Sequence, residues 1–460
     1  MVNSPHSPTP TSARERRKVV AASIVGTTIE WYDFFIYAFA ANLVLAKLFF
    51  EPAGPQMMQI LSLITIGLSF LFRPLGAFLA GHFGDKLGRR PMLVITLLLM
   101  GIATVGIGLL PTYDTIGYAA PALLIFLRIL QGISAGGEWG GAVLMTVEHA
   151  PKGKRGFYGI FPQLGVPLGM LLASGVLAFM RVIAPGEAFE QWGWRVPFLI
   201  SVVLIVAGFI IRRTVDESPV FSEIKESKQQ GSAPIVQVFK RHTPLVILCA
   251  LLFAGNNGVG YMLTGGYVQG LASRPTTEGG LGYDPVQVQL AVLTAALVWG
   301  IFTFFSGPLS DRFGRKKLMT FAWLIQAIGV IPLFQFVMGG DAFHVLLGTC
   351  LLAVGLGLTY GPAAVWFAES FPASLRYSGI SISYALGGVI GGAFAPTIAQ
   401  VLLQTYETTW AITVYLMFIT FIGLFATTIL RDRSNIPLDI EFENSGQWEN
   451  WTSEKDFARV

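Results

Sequence analysis

Residues Gly81–Arg90 read GHFGDKLGRR, and Gly307–Lys316 read GPLSDRFGRK. Both fit G-x-x-x-D-x-x-G-R-[RK], and they lie 226 residues apart. A second echo has a spacing of 221: Glu148, Pro151 and Arg155 recur as Glu369, Pro372 and Arg376. One match of this kind would carry little weight. Two matches, each after a corresponding apolar run in its half, indicate a duplicated unit. Parallel repeats of apolar spans imply two bundles related by an axis along the membrane normal. Gly81, Gly88 and Gly314 permit tight turns between helices. Asp85 and Asp311 can accept hydrogen bonds at a helix N-terminus or pair with a base. Arg89, Arg90, Arg315 and Lys316 supply the bases. Membrane anchoring alone would explain the bases but not the spaced Gly and Asp. The expectation is a gating latch, shared with Glu148, Arg155, Glu369 and Arg376, that is made and broken as the halves rock.

Composition agrees with that frame. Of 460 residues, 53% are hydrophobic and only 13% charged, about half the ~25% of a soluble domain. A span needs about 20 apolar residues, so the apolar content suffices for about a dozen. A soluble multidomain enzyme, a disulfide scaffold and a coiled coil are excluded. The net charge of +4 is too small to point to nucleic acid. Cys249 and Cys350 both lie in apolar runs, and the five histidines show no ligand spacing. No metal, cofactor or catalytic triad is expected, so the chain is read as no enzyme.

Charged or Gly/Pro-rich breaks divide the chain into twelve spans. With the N-terminus placed in the cytoplasm, the inner segments hold 25 Lys and Arg. The outer loops hold four: Lys47, Arg181, Arg195 and Arg274. That asymmetry puts both termini inside. The reading gives a disordered tail over 1–16, a six-helix bundle over 17–213 and a cytoplasmic linker over 214–242. A second six-helix bundle follows over 243–431, then a flexible acidic tail over 432–460.

The doubled loop resembles the signature of the major facilitator superfamily. Arg128, Gln131 and Gly132 resemble its span-four R-x-x-Q-G motif. Glu30-Trp31-Tyr32-Asp33-Phe34, Arg73-Pro74-Leu75-Gly76, Gly136-Gly137-Glu138 and Glu217-Ser218-Pro219 resemble the narrower metabolite:proton symporter family. The resemblance covers 18 to about 430. It implies an all-α membrane protein: twelve transmembrane helices in two six-helix bundles related by a pseudo-two-fold (the major facilitator fold). It also implies proton-driven uptake of dicarboxylates, tricarboxylates, 2-oxoglutarate, shikimate, or zwitterions such as proline and betaine.

Five ionisable side chains fall well inside spans: Glu30, Asp33, Arg73, Arg128 and Glu138. Each costs about 2.5–3.5 kcal/mol at a helix centre, so packing alone does not place them there. Glu30 and Asp33 are three apart and share a helix face. Carboxylates that close resist joint ionisation, so one can hold a proton. If both arginines pair with acids, one of the three carboxylates is left over to carry it. Position and family resemblance favour Asp33, with Glu30 and Glu138 as alternates. Arg73 and Arg128 offer planar forks for an anionic solute. Thr349 stands at the repeat-equivalent of Arg128.

The second half has no charge in mid-span. Ala254-Gly255-Asn256-Asn257-Gly258 falls near the midplane of span seven, where glycines and polar groups can mark a broken helix lining a site. Close packing of small residues is the competing reading, and it is the main one for Gly387, Gly388, Gly391 and Gly392. Tyr261, Tyr360 and Gln163 are further cavity candidates.

The expected function is a proton-coupled symporter of the cell membrane, acting as a monomer. It imports a small carboxylate metabolite by rocker-switch alternating access. Uptake of betaine or proline is the alternative. A drug:proton exporter is less favoured, because Gly165-Val166-Pro167-Leu168-Gly169 departs from the exporters' G-P-x-x-G-G. A transport-dead sensor is disfavoured by the intact coupling charges.

Overall fold

The computed structural model describes residues 12–213, 216–218, 220–222, 234–264, 266–276 and 280–451. Among these, twelve helices are long and apolar enough to cross a membrane, and no strand occurs. In the first half they are α1 (Ala13–Ala40), α2 (Pro55–Leu87), α3 (Arg89–Leu109), α4 (Ala119–Glu148), α5 (Arg155–Ile183) and α6 (Arg195–Arg213). In the second they are α7 (Pro234–Thr264), α8 (Pro285–Phe313), α9 (Arg315–Val337), α10 (Ala342–Ser370), α11 (Ala373–Tyr406) and α12 (Thr409–Ile429). Polar residues start several of them. Ser12 accepts from Glu15 N, Asp284 from Gln287 N and Asp341 from His344 N, each satisfying an amide that the first helical turn leaves free.

The duplication is visible in the packing. In the first half α1 packs on α5 and α6, α2 on α4, and α3 on α4 and α6. In the second, α7 packs on α11 and α12, α8 on α10, and α9 on α10 and α12. The two halves meet along α2 with α11 and α5 with α8, a reciprocal pair. Helices α3, α6, α9 and α12 turn large apolar side chains outward, among them Ile102, Val203, Ile328 and Phe418. Such a belt suits lipid and would be unfavourable in water.

Two glycines need their conformation. Gly88 has φ +113° and Gly314 φ +88°, each at the turn of a repeat loop, where a side chain is strained. A Cβ on Gly88 would collide with the Glu217 carboxylate, and one on Gly314 would meet Asp432 Oδ2 at 3.0 Å. Gly132 and Gly136 bring α4 against the α2 backbone at Ser69 and Arg73 so closely that a Cβ on either would overlap a carbonyl.

Three expectations are corrected. The 254–258 stretch does not break α7, which runs on as helix through it. Gly255 packs on Gly423 and Trp323, and Gly258 on Gly391, so small residues serve close packing there. The real irregularity is a π-turn in α11 at Gly388–Gly392. Second, residues 234–242 of the expected linker are helical and open α7, with a kink at His242. Third, the tail after Arg431 is packed as far as Trp451. Ile436, Leu438, Ile440 and Trp448 are buried, and the Arg433 guanidinium lies 3.9 Å from the Trp448 ring. Burial, with Arg431 nearby, pulls Arg433 down to about 10. The expected tail 1–16 up to residue 11, most of the central linker (223–233) and the last residues (452–460) lie outside the described residues.

Candidate functional site

The start of α1 and the segments after α6 and α12 lie at one end of the bundle, here called the proximal end; the other is distal. The halves are locked together proximally by paired charges. Glu148 at the end of α4 meets Arg89 of its own half (3.9 Å) and Arg376 of the other (3.2 Å). Glu369 at the end of α10 meets Arg315 of its own half (3.0 Å) and Arg155 of the other (3.7 Å). The pattern is the same in each direction, as a two-fold relation requires. All these side chains are buried, and breaking one such pair costs about 3–5 kcal/mol.

The repeat-loop acid adds a helix cap across the halves. Asp311 accepts from Gly156 N (2.7 Å) and Phe157 N (2.9 Å) at the start of α5, and from Arg315 (2.8 Å). A carboxylate on a helix N-terminus is favourable. Asp85 lies outside the described residues. Gly81 comes so close to Ser378 of α11 that a Cβ would meet its Cα at 2.9 Å. Arg90 and Lys316 serve within their own halves. Arg90 donates to Arg213 O, and Lys316 to Thr428 O and Leu430 O.

Sequence reasoning missed a third echo. Glu217 caps α3 by accepting from Arg89 N and Arg90 N, and Asp432 caps α9 by accepting from Lys316 N. Ser218 donates to Glu148, and Asn435 N donates to Glu369. The start of the tail is therefore the structural counterpart of the start of the linker. Arg155 also donates to Ile436 O, and Arg376 to Leu438 O, so the tail bridges both halves. Glu-Ser and Asp-Arg-Ser-Asn share too little wording for the echo to show in the sequence.

At mid-depth the structure separates the ionisable residues expected to act together. Arg73 faces the seam between the halves. Its guanidinium lies over Phe70 (4.1 Å), Trp31 (5.5 Å) and Phe34 (5.9 Å), with Tyr261 of α7 beside it. Glu30 is buried, and neither carboxylate oxygen has a hydrogen-bond partner among the described residues; Arg73 Nε also has none. Tyr261, Tyr360 and Tyr384 lie within electrostatic range of both charges. Asp33 instead turns into the first bundle, where Ser201 of α6 donates to Oδ1 (2.6 Å) and Oδ2 has no hydrogen-bond partner.

The expected pairing of acids with the two arginines is corrected. Glu138 pairs with Arg212, one of the bases counted from the sequence among the inner segments. Arg128 pairs with no acid among the described residues. It donates to Thr65 O (3.1 Å), Ile66 O (3.3 Å) and Gln131 Oε1 (2.6 Å), and lies 3.8 Å from the Tyr37 ring. Gln131 passes the chain on to Thr104. Arg128 thus ties α4 to α1 and α2 inside the bundle. Thr349, its counterpart, bonds only within its own helix.

Gln163 joins the halves. It accepts from Trp139 Nε1 (2.6 Å) and donates to Tyr360 O (2.7 Å). Trp139 stacks on Tyr384 of the other half at 3.9 Å, and Phe253 packs on the same ring at 4.2 Å. These aromatics floor the seam above the proximal latch. Asn256 donates to Leu356 O and Thr359 Oγ1 of α10, and Asn257 is buried beside Gly388. Trp139 and Tyr384 were not singled out in the sequence, because an aromatic in an apolar run carries no mark of where it points. No His/Cys/Asp/Glu cluster suited to a metal occurs among the described residues.

Comparison with known proteins follows the geometry. The family model for sugar (and other) transporters matches residues 18–237, and that of the major facilitator superfamily matches 271–457. The inner membrane metabolite transport protein YhjE of Escherichia coli K12 is 38% identical over 86% of this chain and 90% of its own. The chain belongs to the major facilitator superfamily. It is a multi-pass membrane protein of that superfamily's transporter class. The shikimate transporter of E. coli K12 is 34% identical over 92% of this chain and 96% of its own. The proline/betaine transporter of the same organism is 31% identical over 92% and 85%. Among solved structures, the proton:xylose symporter XylE bound to 6-bromo-6-deoxy-D-glucose superposes with a TM-score of 0.78. It is 18% identical and covers 94% of this chain and 99% of that one. That likeness shows the major facilitator fold.

Proposed function

We propose that this major facilitator protein is a proton-coupled symporter that imports a small carboxylate metabolite, with its termini and latch in the cytoplasm. The observation that carries the reading is Glu30 with its bare oxygens within range of Arg73 at the seam, above a latched proximal end. A solute carboxylate can take the Arg73 fork. Glu30 and Asp33, one turn apart, then provide a protonatable pair whose charge is cancelled when a proton binds. One proton and one carboxylate bound together leave the net charge of the site as it is when empty, so the proton offsets the solute's charge during passage through the occluded state.

A proton and a carboxylate carried together move no net charge, so the pH gradient is the drive; one pH unit supplies about 1.4 kcal/mol, enough for about tenfold accumulation. The test is uptake of labelled shikimate, 2-oxoglutarate, proline and betaine into proteoliposomes with an imposed pH gradient. Carboxylate accumulation that collapses when a protonophore dissipates the gradient supports the reading. Uptake indifferent to the gradient sinks it. A second reading has a specific observation behind it. Trp31, Phe34, Phe70 and Tyr261 form an aromatic wall around Arg73, with Glu30 in electrostatic range of Tyr261; an acid near aromatic faces also suits the cationic end of a zwitterion, and a relative is named for proline and betaine. Accumulation of betaine in preference to shikimate would decide for it.

A further inference from the structure

At the distal end a cavity of ≈ 570 Å³ opens at the seam between α5 of one half and, from the other, α8 and the short helix Tyr267–Ser273 that follows α7. We propose that it is an outer collecting site for carboxylates, which solute occupies before it reaches Arg73. The inference rests on the carrier reading above and adds a second binding station to it.

The distal face carries four basic residues, and two are already committed. Lys47 pairs with Glu190 at 2.7 Å. Arg195 donates to Gly108 O and Leu110 O and lies over the Trp194 ring. Arg181 and Arg274 make no hydrogen bond or ion pair among the described residues, and both line the cavity, one from each half. No acid stands among the described residues lining it; Glu190 shares a neighbouring pocket with Arg181 but is itself paired with Lys47. Two cations facing a recess whose described lining holds no acid raise its potential and draw anions in.

The recess also has a built polar floor. Ser174 is 3% exposed, and its hydroxyl has no hydrogen-bond partner among the described residues. It lies two helical turns from Arg181, on the same face of α5. Gln269 of the short helix Tyr267–Ser273 and Gln289 of α8, bonded to each other, complete the polar lining. Guanidinium forks above a free hydroxyl suit a hydroxylated carboxylate better than a cation or a sugar.

The test needs no transport. Ser273 lines the cavity, and Ser273→Cys places a thiol there; the parent chain, with Cys249 buried and Cys350 half-buried, supplies the background rate. Modification by an anionic methanethiosulfonate ethylsulfonate is compared with that by the cationic trimethylammonium analogue, each normalised to a free thiol. The anionic reagent is expected to be favoured about tenfold. The preference should collapse in Arg181→Gln/Arg274→Gln and survive in the paired Lys variants. Where the double Gln variant fails to fold, raising salt in the Ser273→Cys chain must abolish the preference instead. Sodium shikimate should then slow modification by a neutral maleimide at least threefold relative to sodium chloride of equal ionic strength. Equal normalised rates, or protection no better than chloride, overturn the proposal. Neither outcome touches pH-driven uptake, which is read in a separate assay.

Discussion

Glu30 and Arg73 are two buried opposite charges within electrostatic range and not joined as an ion pair; Glu30 lies inside the first bundle, beside a small cavity it shares with Glu138 and in range of Arg212 as well. Leaving them so is costly unless a ligand or proton completes them. Two predictions follow at this scale. Glu30→Gln and Asp33→Asn should each abolish accumulation driven by a pH gradient while solute exchange at equilibrium persists, because shape is kept and the titrating proton lost. Wild-type accumulation by one variant would exclude that residue as an obligatory carrier. Arg73 and Arg128 should behave differently from each other, although they looked equivalent in the sequence. Arg73→Lys loses the fork at the seam, and a hydrogen bond to a charged group is worth about 1.5–3 kcal/mol. Affinity in a binding titration should fall about ten- to a hundredfold, with thermal stability little changed. Arg128→Lys forfeits donors spent on Thr65, Ile66 and Gln131. Its melting temperature should fall, and affinity should change less than in the Arg73 variant. The reverse ranking would move the solute contact to Arg128.

Among the elements, the start of α5 and the packed tail decide how firmly the proximal end stays shut. Asp311 caps α5 from the opposite half. Asp311→Asn removes the charge from two amide bonds and from the Arg315 pair, so it should shift the latch toward open by about tenfold or more. Spin-label distances between the proximal ends of α5 and α8 would read the shift directly. Solute affinity should move little, and a large affinity loss with normal turnover would contradict the latch. Truncation after Arg431 removes the bonds that Arg155 and Arg376 make to Ile436 and Leu438. It also takes away the Asp432 cap of α9. The shortened chain should open more readily at the proximal end and melt earlier. Unchanged spin-label distances would show that the tail only covers a latch sufficient by itself.

For the whole molecule, the distribution of Lys and Arg predicts cytoplasmic termini. A fluorescent protein fused after Val460 should therefore fold and glow, whereas alkaline phosphatase at the same place should be inactive. The opposite pattern would invert the vestibule and the latch together. The symmetry predicts alternation as well. Latch contacts are arranged reciprocally, so opening the proximal end separates both Glu148–Arg376 and Arg155–Glu369, while the distal recess is the part free to close.

Much of this was determined by the sequence alone. Twelve spans follow from apolar runs longer than a bilayer is thick, the two halves from Gly, Asp and Arg at repeated spacing, and the latch from Glu and Arg at equivalent ends. These are local or periodic signals, and a linear chain records them. Tertiary structure decided the rest, because partnership in a bundle depends on which way a helix is rotated. Arg212, counted only as one of the inner-side bases, reaches Glu138 across 74 residues. Arg128 turns inward and Arg73 toward the seam, though both sit at mid-span in apolar runs. The tail, acidic and without periodicity, packs because capping a helix needs one carboxylate in the right place and no pattern at all. Periodicity identifies a face, but which neighbour covers that face is settled only when all twelve helices are together.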